Sequence, residues 1–207
     1  MSSDRKPVLV IVGPPGAGKT TVGRVLARRL GCEFVDTDAL IVERIGKPIA
    51  DMFVQDGEEA FRALERRVVA EALAATDGVL ALGGGSVLAA ETRDLLRAHR
   101  VAYLTVGLAD GMRRIGLSTA RPLLAGVNPR ATFKALLEAR GPLYREVATV
   151  EIDTSRRSAN QVVRAVLEAI GEVSPLAPPD PFDLSDPLDR PTPRAESPLP
   201  NPTVGRP

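Results

Sequence analysis

The sequence predicts an α/β domain in which a mostly parallel sheet is covered by helices on both faces. Short apolar runs recur along the chain, helix-period segments separate them, and the Gly-rich and acidic stretches fall where strands end. Residues 8–12, Val-Leu-Val-Ile-Val, form a continuous apolar run, as expected of a strand buried on both faces. A Gly/Pro loop follows. Lys19 to Leu30 then places apolar residues at 22, 25, 26 and 30, a helical stripe that Gly31 ends. Glu33 to Val35 is a second short strand, and Asp38 can cap a helix ending near Gly46. A longer helix runs from Glu58 to Ala75, with Phe61, Leu64, Val68, Ala72 and Leu73 on one side. Further strands are expected at Gly78 to Leu82, Val101 to Val106 and Thr149 to Asp153. Ser158 with Gln161 fits a capping box for a final helix that groups Val162, Val163, Val166, Leu167 and Ile170. In sheets of this kind ligands bind beyond the carboxyl ends of the strands.

Composition narrows the function classes. The chain has 207 residues, 44% of them hydrophobic, enough for one ordinary domain plus an appendage. A formal charge of +1 and 3% aromatics offer neither a basic stripe nor a stacking platform, so neither a nucleic acid nor a membrane is expected as a partner. No apolar run approaches the length that spans a bilayer. The segment Met1 to Lys6 is short and polar, unlike a signal peptide, and Cys32 is the only cysteine, so no intrachain disulfide can form. These features point to the cytoplasm. From Val173 to Pro207 the composition changes: eleven of the eighteen prolines lie there, without apolar periodicity. Proline at that density blocks regular hydrogen bonding. The expected organisation is a folded domain over residues 1–172 and a disordered, partly polyproline II tail over 173–207; a proline-rich ligand for a partner is the alternative reading of the tail.

Gly13-Pro14-Pro15-Gly16-Ala17-Gly18-Lys19-Thr20 matches the phosphate-loop pattern G-x-x-x-x-G-K-[ST], with a strand before it and a helix after it. Its glycines let backbone N–H groups turn inward around a phosphate, and the helix N-terminus adds partial positive charge. Lys19 reaches the β- and γ-phosphates of a nucleotide, and the Thr20 hydroxyl ligates Mg²⁺. Asp36 and Asp38 follow the second strand. One can support Mg²⁺, and the other can accept or orient the proton of an attacking hydroxyl; a helix cap would explain Asp38 but not Asp36. The third strand runs into Gly83-Gly84-Gly85 without the acid that many such proteins place there, which shifts metal duty to Asp36. Either a flexible turn or close ligand approach would explain three glycines.

Arg62 and Glu65 fit a surface pair one turn apart. Ser118 to Leu124, containing Arg121 and set between Gly116 and Gly126, reads as a mobile lid within about residues 112–130 that can close over a nucleotide. Arg140 is expected to end a helix before Gly141-Pro142, where a cation complements the helix C-terminus.

Taken together, the phosphate loop, Asp36-Thr37-Asp38, Asp56-Gly57-Glu58 leading to Phe61-Arg62 and Glu65, the triple glycine, Arg121-Pro122-Leu123-Leu124 and Arg140-Gly141-Pro142-Leu143-Tyr144 resemble the shikimate kinase family over about residues 8–171. The resemblance implies a three-layer α/β/α P-loop kinase of the adenylate-kinase-like type, with a central five-stranded parallel sheet and a mobile lid. It implies phosphorylation of the 3-hydroxyl of shikimate by ATP with Mg²⁺, by a monomer. Nucleotide contacts would fall on Gly16, Ala17, Gly18, Lys19, Thr20 and Thr21, with Arg121 on the phosphates and Arg114 and Arg157 lining the adenine pocket. Asp38, Arg62, Gly84 and Arg140 would hold shikimate: Asp38 as candidate base, the two arginines on the carboxylate, and Glu65 orienting an arginine. Asp36 would support Mg²⁺ through its water shell. At Arg156-Arg157-Ser158-Ala159 the chain departs from the family's more familiar Arg-Arg-Asn-Pro. A gluconate kinase would share the loop but needs no two-arginine clamp, and a nucleotide-binding regulatory module would be expected to have lost part of the Lys19, Thr20, Asp36, Asp38 and Arg121 set.

Overall fold

The computed structural model describes residues 6–116 and 128–171. The tail from residue 173 and the lid around Arg121 therefore lie outside the described residues. Five parallel strands form the sheet: β1 (Leu9–Val12), β2 (Phe34–Asp36), β3 (Val79–Ala81), β4 (Val101–Thr105) and β5 (Val150–Asp153). Their order is β2-β3-β1-β4-β5, with β1 paired to β3 on one side and to β4 on the other. Every β1 residue is buried, which is why its sequence is apolar throughout rather than alternating.

Successive β1 side chains point to opposite faces. Leu9 and Ile11 join the core formed with α1 (Lys19–Leu30) and α8 (Ala159–Ala169), whereas Val10 and Val12 join the core on the other face with α4 (Gly57–Ala75). A smaller cluster of Ile41, Met52, Phe61 and Val68 links α2 (Thr37–Ile45), α3 (Ile49–Gln55) and α4. Phe53 and Phe61 lie there with ring centroids 4.6 Å apart. No helix of the described residues is long and apolar enough to cross a membrane.

Several helix ends follow the expected signals. Gly31 and Gly46 take left-handed φ values of 65° and 66° as C-caps, and Ser158 and Gln161 form the reciprocal capping box. Other features differ from expectation. Helix α2 is capped by Asp36, whose side chain accepts from the Asp38 N–H, because β2 extends one residue further than Val35. The short helices α3 and α5 (Ala90–Leu96), and a 3-10 turn at Ser86–Leu88, were not anticipated from the periodicity. Helix α6 covers Leu108–Gly116. Helix α7 runs from Pro129 to Val147, so Arg140 lies well inside it and does not cap its end. Gly141 is buried within this helix, while Pro142 is exposed, where the carbonyl its missing N–H leaves unpaired can meet water.

The first half of α7 puts Phe133 into the α1/α8 core, and the second half puts Tyr144 and Val147 into the other. Phe133 is 0% exposed, and a Cβ on Gly111 would lie 2.5 Å from its ring, so α6 and α7 meet around a position that tolerates no side chain. Phe133→Ala is expected to lower the unfolding free energy by about 3–5 kcal/mol, measured by urea denaturation. A loss below about 1 kcal/mol would mean that α6 and α7 close over the deleted ring.

Candidate active site

The carboxyl ends of β1, β3 and β2 bring the phosphate loop, the glycine loop and the acids together. In the phosphate loop Gly16 and Gly18 have φ values of 75° and 86°, which only glycine adopts readily, and Gly18 is the N-cap of α1. This directs the first turn of α1 and its unpaired N–H groups toward the loop. Lys19 Nζ donates to the Gly13 and Pro14 carbonyls at 2.9 and 3.2 Å, and so lies along the loop it would serve. The Thr20 hydroxyl donates to Asp36 Oδ2 at 2.8 Å. Asp36 thus joins α1 to the start of α2, with one oxygen on Thr20 and the other accepting from the Asp38 N–H at 3.0 Å.

The triple glycine is a packed loop. A Cβ on Gly83 would stand 2.5 Å from Asp38 Oδ1 and 2.9 Å from Glu65 Oε1. One on Gly85 would overlap the Arg62 guanidinium, and one on Gly84 would lie 3.3 Å from Pro15 Cδ of the phosphate loop. The side chains of Asp38, Glu65 and Arg62 therefore occupy the space that side chains at 83 and 85 would need. The Gly83 N–H donates to the fully buried Thr37 hydroxyl at 3.0 Å. The Gly84 carbonyl accepts from Arg140 at 3.0 Å and from the Tyr144 hydroxyl at 2.6 Å.

Arg62 and Glu65 do not form the expected surface pair. Arg62 NH1 meets Glu65 Oε2 at 2.6 Å, with Glu65 only 3% exposed, and the second Glu65 oxygen accepts from Ser86 at 3.0 Å. A charged pair this buried is costly to break, because removing one partner leaves an uncompensated charge. Glu58 also contacts Arg62, at 3.2 Å. Burial raises the Tyr144 phenol well above its usual pKa, against the opposing effect of the Arg140 guanidinium. Its hydroxyl therefore stays protonated, as a donor to Gly84 requires.

On the other side of the loop, Arg114 joins the base of the expected lid to two elements. Its NH1 donates to the Gly16 carbonyl at 3.2 Å and the Thr154 hydroxyl at 3.0 Å, and its NH2 donates to the Thr154 carbonyl at 2.8 Å. Arg157 is exposed beside this region, and Thr21 is exposed on the first turn of α1. Arg156, at φ 54°, turns the chain before α8, and its N–H donates to Asp110 at 3.2 Å. Of the residues singled out from sequence, Asp38, Arg62, Gly84 and Arg140 converge on the glycine loop, and Lys19, Thr20 and Asp36 lie on the phosphate loop side. Arg121 lies outside the described residues. Thr37, Ser86, Tyr144 and Thr154 received no role from sequence, although Thr37 stands between the two acids and Tyr144 closes the Arg140 motif.

A parallel sheet in this strand order, with a G-x-x-x-x-G-K-T loop between its central strand and the following helix, defines a P-loop kinase of the adenylate-kinase-like fold. The chain belongs to the shikimate kinase family, whose model matches residues 15–171. It is 63% identical over 164 residues to a shikimate kinase of Saccharopolyspora erythraea, covering 79% of this chain and 94% of that one. It is 55% identical to one of Thermobifida fusca over 80% of this chain and 95% of the relative. Among solved structures, a shikimate kinase from Acinetobacter baumannii in complex with shikimate superposes with a TM-score of 0.78 at 38% identity, covering 82% of this chain and 96% of that one.

Gly83→Ala is expected to destabilise the fold by about 1–3 kcal/mol, since the added methyl must displace Asp38 or the buried Glu65. A thermal melt reads this directly. An unchanged midpoint would mean that the loop has room the structure does not show.

Proposed function

We propose that this chain transfers the γ-phosphate of ATP to the 3-hydroxyl of shikimate, giving shikimate 3-phosphate for aromatic amino-acid biosynthesis. The observation that carries this reading is the convergence of one acid and two arginines on a glycine loop packed against the phosphate loop. Family membership and the shikimate complex of the Acinetobacter baumannii relative support it. Arg62 and Arg140 are suited to a carboxylate, because two planar guanidinium groups can each present paired N–H donors to it. Asp38, beside the same loop, accepts or orients the proton of the attacking hydroxyl. The hydroxyl oxygen bonds to the γ-phosphorus as the bond to the β-phosphate oxygen breaks, and ADP leaves.

Lys19 turns from the Gly13 and Pro14 carbonyls to the β- and γ-phosphates, and the N–H groups from Gly16 to Thr21 surround them. Arg121 neutralises charge on the transferring group, while Arg114 and Arg157 flank the adenine. Thr20 and Asp36 form an all-oxygen pair suited to a hard cation, and would hold Mg²⁺ directly and through water respectively. When bound, the metal would supply positive charge that offsets the charge of the phosphates. The transition state is loose, so these residues act mainly by position and charge. In this reading residues 1–172 form the working domain, a cytoplasmic monomer, and residues 173–207 stand outside it; the family model's end at residue 171 supports that boundary.

The test is ADP release from MgATP in a coupled assay, with shikimate, gluconate and a nucleoside monophosphate as alternative acceptors. Stimulation by shikimate alone is expected; ATP binding without that stimulation would move the acceptor elsewhere. Lys19→Ala should reduce kcat roughly a hundred- to thousand-fold, by analogy with loss of one preorganised transition-state donor. Turnover near the wild-type rate would remove Lys19 from the mechanism. Arg140→Ala should raise KM for shikimate about ten- to a hundred-fold, with KM for ATP changed less than about two-fold. Equal loss of both would reassign Arg140 to the nucleotide.

A further inference from the structure

Tyr144 is the second residue of α7 that reaches the glycine loop. It lies four positions after Arg140, so the two side chains share one helix face. They share an acceptor, the Gly84 carbonyl oxygen, which accepts from Arg140 NH1 at 3.0 Å and from Tyr144 Oη at 2.6 Å, and the Arg140 guanidinium also interacts directly with the Tyr144 hydroxyl. A carbonyl oxygen has two lone pairs, and these two bonds use both. The partners differ in rigidity. Tyr144 is 1% exposed and stacks on Tyr103, with centroids 5.0 Å apart and planes 25° apart. Arg140 is a long side chain at a half-buried position, with more rotamer freedom to lose before it can act as a fork.

We propose that Tyr144 is a positioning residue for Arg140. Its hydroxyl holds the Gly84 carbonyl, and the carbonyl in turn holds one N–H of the guanidinium. The remaining donors of Arg140 are then presented to a ligand carboxylate by a group whose direction is already set. This rests on the reading of Arg140 as part of a shikimate clamp. The hydroxyl is the operative part, because a phenylalanine retains the ring, the stacking on Tyr103 and the burial. Without the hydroxyl the Gly84 peptide is held by Arg140 alone, and each can move with the other. The arrangement depends on α7 continuing through Gly141-Pro142, since a helix ending at Arg140 would not place residue 144 on the same face.

The experiment measures shikimate and ATP dissociation constants by calorimetry for the full chain, Tyr144→Phe, Arg140→Ala and the double variant. In Tyr144→Phe the constant for shikimate should rise roughly five-fold, the scale of one hydrogen bond, with that for ATP within about two-fold of wild type. In the Arg140→Ala background the same substitution should add less than about two-fold, because the residue it acts through is gone. An unchanged shikimate constant in Tyr144→Phe would overturn the proposal even if the melting temperature fell, since that would be a purely structural role. Equal rises in both backgrounds would also overturn it. Failure of the unmodified chain to bind shikimate would instead overturn the functional reading, and this proposal with it.

Discussion

The site depends on the absence of side chains at three consecutive positions. Gly83, Gly84 and Gly85 let Asp38, Glu65 and Arg62 close against one backbone, and let that backbone lie against Pro15 of the phosphate loop. Any Cβ at 83 or 85 would push an ionisable group out of place. Because the loop follows the buried strand β3, neighbour of the central β1, its position is set by the sheet itself. The distance between the phosphate loop and the glycine loop is therefore a property of the core.

Helix α7 is the other fixed reference. Its two ends are buried in the two cores on opposite faces of the sheet, through Phe133 and through Tyr144 with Val147. Glu146, next to Val147, forms an ion pair with Arg93 at 2.9 Å whose Nε–H is not aligned for a hydrogen bond. Arg93 NH1 donates to the Val87 and Leu88 carbonyls at 2.9 and 3.2 Å. The 3-10 turn after the glycines is thus tied to the helix that carries Arg140, and the loop is held from both sides. An ion pair near the surface would alone add little, but here the Arg93 side chain is also joined to two backbone acceptors.

Much of this was legible in the sequence. Strands β1, β3 and β4 appear there as short apolar runs and β5 as an apolar/acidic alternation, and the phosphate loop is a contiguous motif flanked by the right elements. What escaped has physical reasons. Helices α3 and α5 are seven residues each, too short to show a period, and neither has a side-chain cap bond. Gly-Pro after Arg140 is a common stop signal, overridden here because Gly141 is buried and Pro142 faces solvent. The spacing of Arg62 and Glu65 fixes their proximity but not their burial, which comes from packing and from Ser86, 21 residues away in sequence. Likewise, sequence left the glycines as either a turn or a ligand approach. The structure shows that the protein's own side chains fill the space at Gly83 and Gly85.

Asp36 performs two tasks with one carboxylate: one oxygen caps α2 and the other accepts from Thr20 at the start of α1. The consequence is evolutionary. A position serving one purpose can drift through substitutes that serve it, and serine, threonine and asparagine all cap helices well. Here a substitute must also present a second acceptor to Thr20, which a single hydroxyl already committed to the cap does poorly, and an asparagine amide can offer only one carbonyl oxygen. The choices at position 36 are thus narrowed by geometry before any question of catalysis arises.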